Sequence, residues 1–236
     1  MSEWAPKRFY KSATVESAEG GWTVHLDARP LRTPGKSALI VPTLPLAEAV
    51  AEEWNAQTGK IDPTVMPLTR TANSAIEKVA PQKAAVADML AEYGDSDLLC
   101  YRADHPDELV QRQQQGWDPM LTWAAEALGA RLAPRVGVMH EPQDPGALAA
   151  LRAEVHKLDS FELAPFHDLV ALSGSLVLGL AVSHGHPAAE IWHLSRIDES
   201  WQEEMWGADE EAAEVSEIKR TAFLQAERFL RLCRAA

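Results

Sequence analysis

The spacing of apolar and polar positions changes once along this chain. In about the first forty residues, apolar positions fall in short runs, and beyond them they recur every three to four residues. Residues 8–15, 22–26 and 37–41 carry β-branched or aromatic side chains and predict strands. Glu19-Gly20-Gly21 and Asp27-Ala28-Arg29-Pro30 stand where turns are needed, and a hairpin is expected around 26–31. Strands so few and so short make a small β-layer or partial barrel. Pro42 and Pro45 then punctuate the chain. Thr43 predicts an N-cap for a helix over 46–57, with Gly59 as its stop. Residues 61–68 hold two prolines and read as an extended connector.

From Thr69 the period is helical. Helices are predicted over 69–79, 82–93, 107–128, 146–158, 161–182, 188–206 and 209–232. Residues 97–102 read as a short strand or an extended loop, and 135–139 can hold a strand inside a proline-marked loop. With a boundary near residue 76, the fold class is α+β. A small β-rich N-terminal domain with one helix (1–76) precedes a larger, mostly helical C-terminal domain (77–236). Leu109, Trp117, Met120, Leu121, Ala124 and Leu128 share one helical side. Leu169, Leu172, Leu176 and Leu180 form another row, with Ala171, Ser173, Gly174, Ser175 and Gly179 filling the remainder. A helix apolar or small all round belongs at the centre of a bundle.

Composition narrows the function classes. The chain has 236 residues, 46% hydrophobic and 24% charged, enough to bury a core without staples. Lys plus Arg is 22 and Asp plus Glu is 35, a net charge of -13. That balance opposes binding to a nucleic-acid backbone or to anionic lipid, and favours a basic protein surface. Cys100 and Cys233 are the only cysteines and form no CxxC pair, so a disulfide framework is excluded and a reducing compartment is expected. Residues 1–11 show no apolar h-region and no Arg/Ser-rich amphipathic stretch, so a cytoplasmic protein without a targeting signal is expected. The most apolar run, 169–182, is shorter than the roughly 20 residues that span a bilayer.

Catalytic patterns are weak. Gly94-Asp95-Ser96-Asp97 begins like a serine-esterase block, but its second Asp stands where such blocks are apolar, and Glu190-Ile191-Trp192-His193 lacks the late Asp-x-x-His. A turn or cap at Ser96 is the expectation. Gly174 and Gly179 have phosphate-loop spacing, yet Leu180-Ala181 replaces the Lys-Ser/Thr that would meet a phosphate. His184-Gly185-His186 sits in an interhelical loop and lacks further ligands for zinc. His25, His105, His140, His156, His167 and His193 are scattered. No metal and no cofactor are expected.

Two features are stronger. Trp54, in Glu52-Glu53-Trp54-Asn55, shares a face with Val50 and reads either as a core residue on the β-layer or as an anchor for a partner. The predicted helix over 188–206 carries two stripes. Ile191, Leu194, Trp201 and Met205 are apolar, with Asp198 among them. A carboxylate there needs a partner from another helix, or the wet edge of the stripe. Trp192, Ser195, Glu199, Glu203 and Trp206 form the other stripe, which reads either as a solvated face or as an acidic, aromatic contact surface for a protein. The residues alone describe an acidic, mostly helical protein in which binding outranks catalysis. A small hydrolase with a triad assembled in space, and a homo-oligomeric structural subunit, are the alternatives.

The order of motifs adds to this. Lys7-Arg8-Phe9-Tyr10, Arg29-Pro30-Leu31-Arg32-Thr33-Pro34, the run from Leu46 to Trp54, and Met66-Pro67-Leu68-Thr69 come first. Asp97-Leu98-Leu99-Cys100-Tyr101-Arg102, Gln115-Gly116-Trp117-Asp118-Pro119, Ser195-Arg196-Ile197-Asp198-Glu199 and Trp206-Gly207 follow. The series resembles the assembly chaperone family that attends the alpha subunit of the ATP synthase catalytic head, in an alphaproteobacterial form. The resemblance covers nearly the whole chain. It implies two domains and no enzymatic activity. It also implies a monomer that holds the unassembled alpha subunit until the beta subunit arrives. Relatives in eukaryotes would work in the mitochondrial matrix. The Asp198-Glu199 segment matches a family region linked to function, with Ile197-Asp198-Glu199 where Leu-Glu-Glu is usual. The partner-binding candidates are therefore Asp198, Glu199, Glu203, Trp192, Trp206 and Trp54.

Overall fold

The computed structural model describes residues 7–207 and 209–235. The stretch 1–11, read above for targeting signals, lies in its first six residues outside the described residues. The fold is α+β, and the chain divides into two compact units. One comprises residues 1–83, 159–165 and 228–236, the other 84–158 and 166–227.

In the first unit, β1 (Ala13–Ala18) and β2 (Gly21–Leu26) form an antiparallel hairpin in register from Ala13↔Leu26 to Ala18↔Gly21. The other edge of β2 takes β3 (Arg29–Pro30) at its end and β4 (Ile40–Val41) at its start. Both predicted turns are present. Ala13, Val24, Leu26 and Val41 are buried, while Thr14 and Glu16 alternate out to water.

Helix α1 (Leu44–Asn55) lays Leu46, Ala47, Val50 and Ala51 into this core. Thr43 caps it as predicted, accepting from Leu46 N at 3.3 Å. Asn55 clamps the helix to β1, accepting from Ala13 N at 2.8 Å and donating to Ala13 O at 2.9 Å. Arg8 donates to Asn55 O and Gln57 O at 3.2 and 2.7 Å, so a guanidinium meets the orphan carbonyls where a cation is favoured. Glu53 reaches across to cap α2 (Pro67–Ser74), accepting from Leu68 N and Thr69 N at 2.7 and 2.8 Å. Residues Ala75–Val79 continue as a π-helical turn. Phe229 completes the core, with Phe161, Leu232 and Cys233 packed at its margin.

The second unit holds α3 (Lys83–Ala91), α4 (Asp107–Ala127) and α5 (Pro145–Lys157). These are followed by α6 (Ser160–Ser173), α7 (Leu176–Ser183), α8 (Ala188–Leu194), α9 (Ile197–Trp206) and α10 (Glu210–Arg234). Helices α6 and α10 contribute residues to both units. Two-residue strands β5 (Tyr101–Arg102) and β6 (Arg135–Val136) pair in parallel. Helix α7 is buried along its whole length, as its apolar and small side chains predict.

The helix predicted over 161–182 is two helices. Gly174 takes φ 71°, a left-handed conformation that ends α6, and Ser175 caps α7 by accepting from Leu178 N at 3.0 Å. Buried Asp97 anchors this break. It accepts from Ser175 Oγ at 2.7 Å, Val177 N at 3.0 Å and Leu99 N at 3.0 Å. One carboxylate thus satisfies helix-start donors from two distant segments. Residues 97–102 owe their shape to it, as a 3-10 turn leading into β5.

Candidate partner-binding surface

The candidate site is built on α4, α8 and α9. A single helix was expected over 188–206; the structure breaks it at Ser195 and Arg196. The break has a tertiary cause. The Leu194 carbonyl, which a continuous helix would use internally, accepts instead from the indole Nε1 of buried Trp117 at 2.7 Å. Gly116 lets this happen. A Cβ there would come within 2.6 Å of Ile197 Cδ1 and 3.1 Å of Leu194 Cδ2, so the bare backbone lets α4 approach this closely without displacing those side chains.

The break divides both predicted stripes. Trp192 is buried, its ring centroid 5.5 Å from that of Phe223, with the Arg196 guanidinium 5.6 Å from its centroid. Ser195 is buried and donates to Trp192 O at 2.7 Å. Ile191 and Trp201 are buried, whereas Met205 is 56% exposed.

Asp198 is half-buried and has the partner its position demands. Its Oδ1 accepts from Gln113 Nε2 at 2.7 Å. Gln113 is itself buried and fixed, accepting from Ala103 N at 2.9 Å. Glu199 pairs with Arg196 at 2.8 Å. Next to them Arg112 grips Glu204 with two 2.7 Å hydrogen bonds, its guanidinium 4.8 Å from the Trp201 ring centroid. The two hydrogen bonds from Arg112 hold the Glu204 carboxyl below its ordinary range. Glu203 is exposed, and its carboxylate has no hydrogen bond or ion pair among the described residues. Trp206 is 80% exposed at the end of α9.

Trp54 belongs to the first unit, the other five candidates to the second. It is half-buried against the core, its ring 5.8 Å from that of Tyr10. Its indole nitrogen is buried without a partner among the described residues, and its carbonyl accepts from Tyr10 Oη at 2.7 Å. Gln113 and Arg112 were not legible as site residues, because their partners lie on a helix far along the chain. The Arg196–Glu199 spacing could have been read from helix geometry.

The surface presents exposed aromatic and acidic side chains. Ser96 is exposed, and no histidine hydrogen-bonds its hydroxyl among the described residues. Among those residues no cluster of three or more His, Cys, Asp or Glu side chains could hold a metal ion. His184 and His186 instead pack edge-on against Trp123, at 5.6 and 5.0 Å between ring centroids. No described helix is long and apolar enough to cross a membrane.

Comparison with known proteins places these features in a lineage. The family model described as ATP12 chaperone protein matches residues 7–125. The chain is 23% identical over 222 residues to the mitochondrial protein atp12 of Schizosaccharomyces pombe, covering 89% of this chain and 76% of the yeast protein. The crystal structure of Atp12 from Paracoccus denitrificans is similar at 55% identity and a TM-score of 0.95, covering 98% of this chain and 100% of that one. The Atu1473 protein of Agrobacterium tumefaciens is similar at 42% identity and a TM-score of 0.92, covering 97% and 87% of the two chains.

Proposed function

The chain belongs to the ATP12 chaperone family, and from that premise we propose that it assists ATP synthase assembly by binding the unassembled alpha subunit and yielding it to the beta subunit. An alpha subunit without its neighbour exposes an apolar contact face, and such faces aggregate. A reversible cover lowers the concentration of bare subunit. It must bind more weakly than the final partner, or assembly stalls. The observation that carries the reading is the end of α9. Met205 and Trp206 stand in solvent there; Trp206 shares its helix face with Glu199, paired to Arg196, and with the exposed carboxylate of Glu203, while Asp198 on the neighbouring face is held by Gln113. Exposed aromatic surface supplies burial on contact, and the carboxylates orient a basic face. Trp192 supports this surface from within the second unit, packed against Phe223.

Co-expression with isolated alpha and beta subunits tests the proposal. The expected result is that alpha alone stays soluble and co-purifies with the chain. Trp206→Ala and Glu199→Lys should weaken its capture while leaving the melting temperature of the chaperone within a few degrees. An alpha subunit neither kept in solution nor captured by the native chain would refute it. A homo-oligomer whose mass collapses on Trp206→Ala would favour the structural-subunit alternative.

A further inference from the structure

Helix α10 is written with a longer apolar stripe than the protein covers. At about 100° per residue, Val215, Ile218, Ala222, Ala226 and Phe229 fall in one narrow sector of the helix. Toward its end the sector is buried at Ala226 and Phe229. Toward its start it is bare: Val215 is 45% and Ile218 63% exposed, and every residue from 209 to 219 except Ser216 is exposed. The bare half is also acidic, with Asp209, Glu210, Glu211, Glu214 and Glu217 against Lys219 and Arg220, the last paired with Glu217 at 2.9 Å. Met205 and Trp206 precede it directly in the chain.

We infer that the N-terminal half of α10 is a docking face for an apolar client segment flanked by lysine or arginine. The inference rests on the chaperone reading above and specifies the chemistry of the client element. Val215 and Ile218 are spaced to meet an apolar ridge, and the surrounding carboxylates set the sign of its flanks. A second copy of this chain is a poor occupant, because two such faces would bring acidic rims together. Nucleic acid and anionic lipid are poor occupants for the same reason of charge.

Two probes test it with the full chain: the isolated alpha subunit, and a synthetic amphipathic leucine–lysine peptide with a leucine–glutamate peptide as control. The native chain should bind the alpha subunit and the leucine–lysine peptide, more weakly at high salt, and ignore the control. Val215→Asp with Ile218→Asp should weaken both interactions by roughly tenfold or more, and so should Glu211→Lys with Glu214→Lys. Both double variants change exposed positions, so their thermal melting should match the native chain. If both bind the two probes like the native chain, the inference is overturned. If alpha-subunit binding falls with Trp206→Ala but not with the α10 variants, the inference fails and the chaperone reading survives. If the native chain ignores the alpha subunit but binds the leucine–lysine peptide in a manner sensitive to Ile218→Asp, the α10 face is supported and the client assignment fails. Equal binding of the glutamate peptide overturns the charge requirement. A dimer dissociated by Ile218→Asp overturns the proposed occupant.

Discussion

Gln113 of α4 holds Asp198 of α9 through a 2.7 Å hydrogen bond while accepting from the Ala103 amide. A neutral, buried amide thus fixes a half-buried carboxylate without cancelling its charge. Gln113→Leu keeps the volume and removes both bonds. It should cost about 1–3 kcal/mol of stability, because the Ala103 amide loses its partner, and it should loosen Asp198. Asp198→Asn keeps an oxygen to accept from Gln113 and removes only the charge. Urea unfolding of the two variants separates the roles: the glutamine variant should lose stability and the asparagine variant should retain it. Alpha-subunit capture should weaken in both.

Asp97 makes stability depend on acidity in an unusual direction. Burial pushes its carboxyl from 3.8 up to about 6, against the hydrogen bonds from Val177, Ser175 and Leu99 that pull it down. The folded chain therefore keeps a proton that the unfolded chain releases. This contribution is fully favourable below about pH 4, declines as pH rises to about 6, and is then gone, a loss of about 3 kcal/mol. In Asp97→Asn the carboxyl titration is absent. Melting temperatures measured from pH 4 to 7 should show a native curve that falls relative to the Asn variant. Parallel curves would show that Asp97 is ionised at low pH in the fold.

A side chain at Gly116 would push on the contact of α4 with α9. A Cβ would meet Ile197 Cδ1 at 2.6 Å. Gly116→Val should destabilise by roughly 1–3 kcal/mol through overpacking. Adding Ile197→Ala should recover part of the loss, and a double-mutant cycle on urea midpoints measures the coupling.

Both thiols are shielded from solvent in the fold, Cys100 fully and Cys233 in part. Burial pushes Cys100 up to about 12, and the neighbouring Asp97 charge adds to it. Burial, with Asp159 and Glu162, likewise raises Cys233. Since the thiolate is the reactive species, a disulfide-exchange reagent at pH 8 should label neither in the native protein and both cysteines after denaturation.

Much of this fold could be read from the chain alone. The hairpin turn at Gly20, the Thr43 cap, the extent of α4 and the buried character of α7 are encoded within a few residues of where they act. Local periodicity determines which face of a segment is apolar, and capping chemistry determines where it starts. The acidic, aromatic character of the α9 end was equally visible, since Glu199, Glu203 and Trp206 announce themselves by type.

Only the tertiary structure decided where continuous helical patterns break and which groups share a partner. A helix over 188–206 satisfies every local rule until the Trp117 indole takes the Leu194 carbonyl. The 161–182 pattern likewise holds until Asp97, from far earlier in the chain, claims the donors at Ser175 and Val177. Phe161 and Phe229 join the core of the first unit, although neither sequence neighbourhood says so. A backbone carbonyl or a carboxylate has several acceptable partners of similar strength. Local sequence sets how many bonds it must make, and packing selects which distant group makes them.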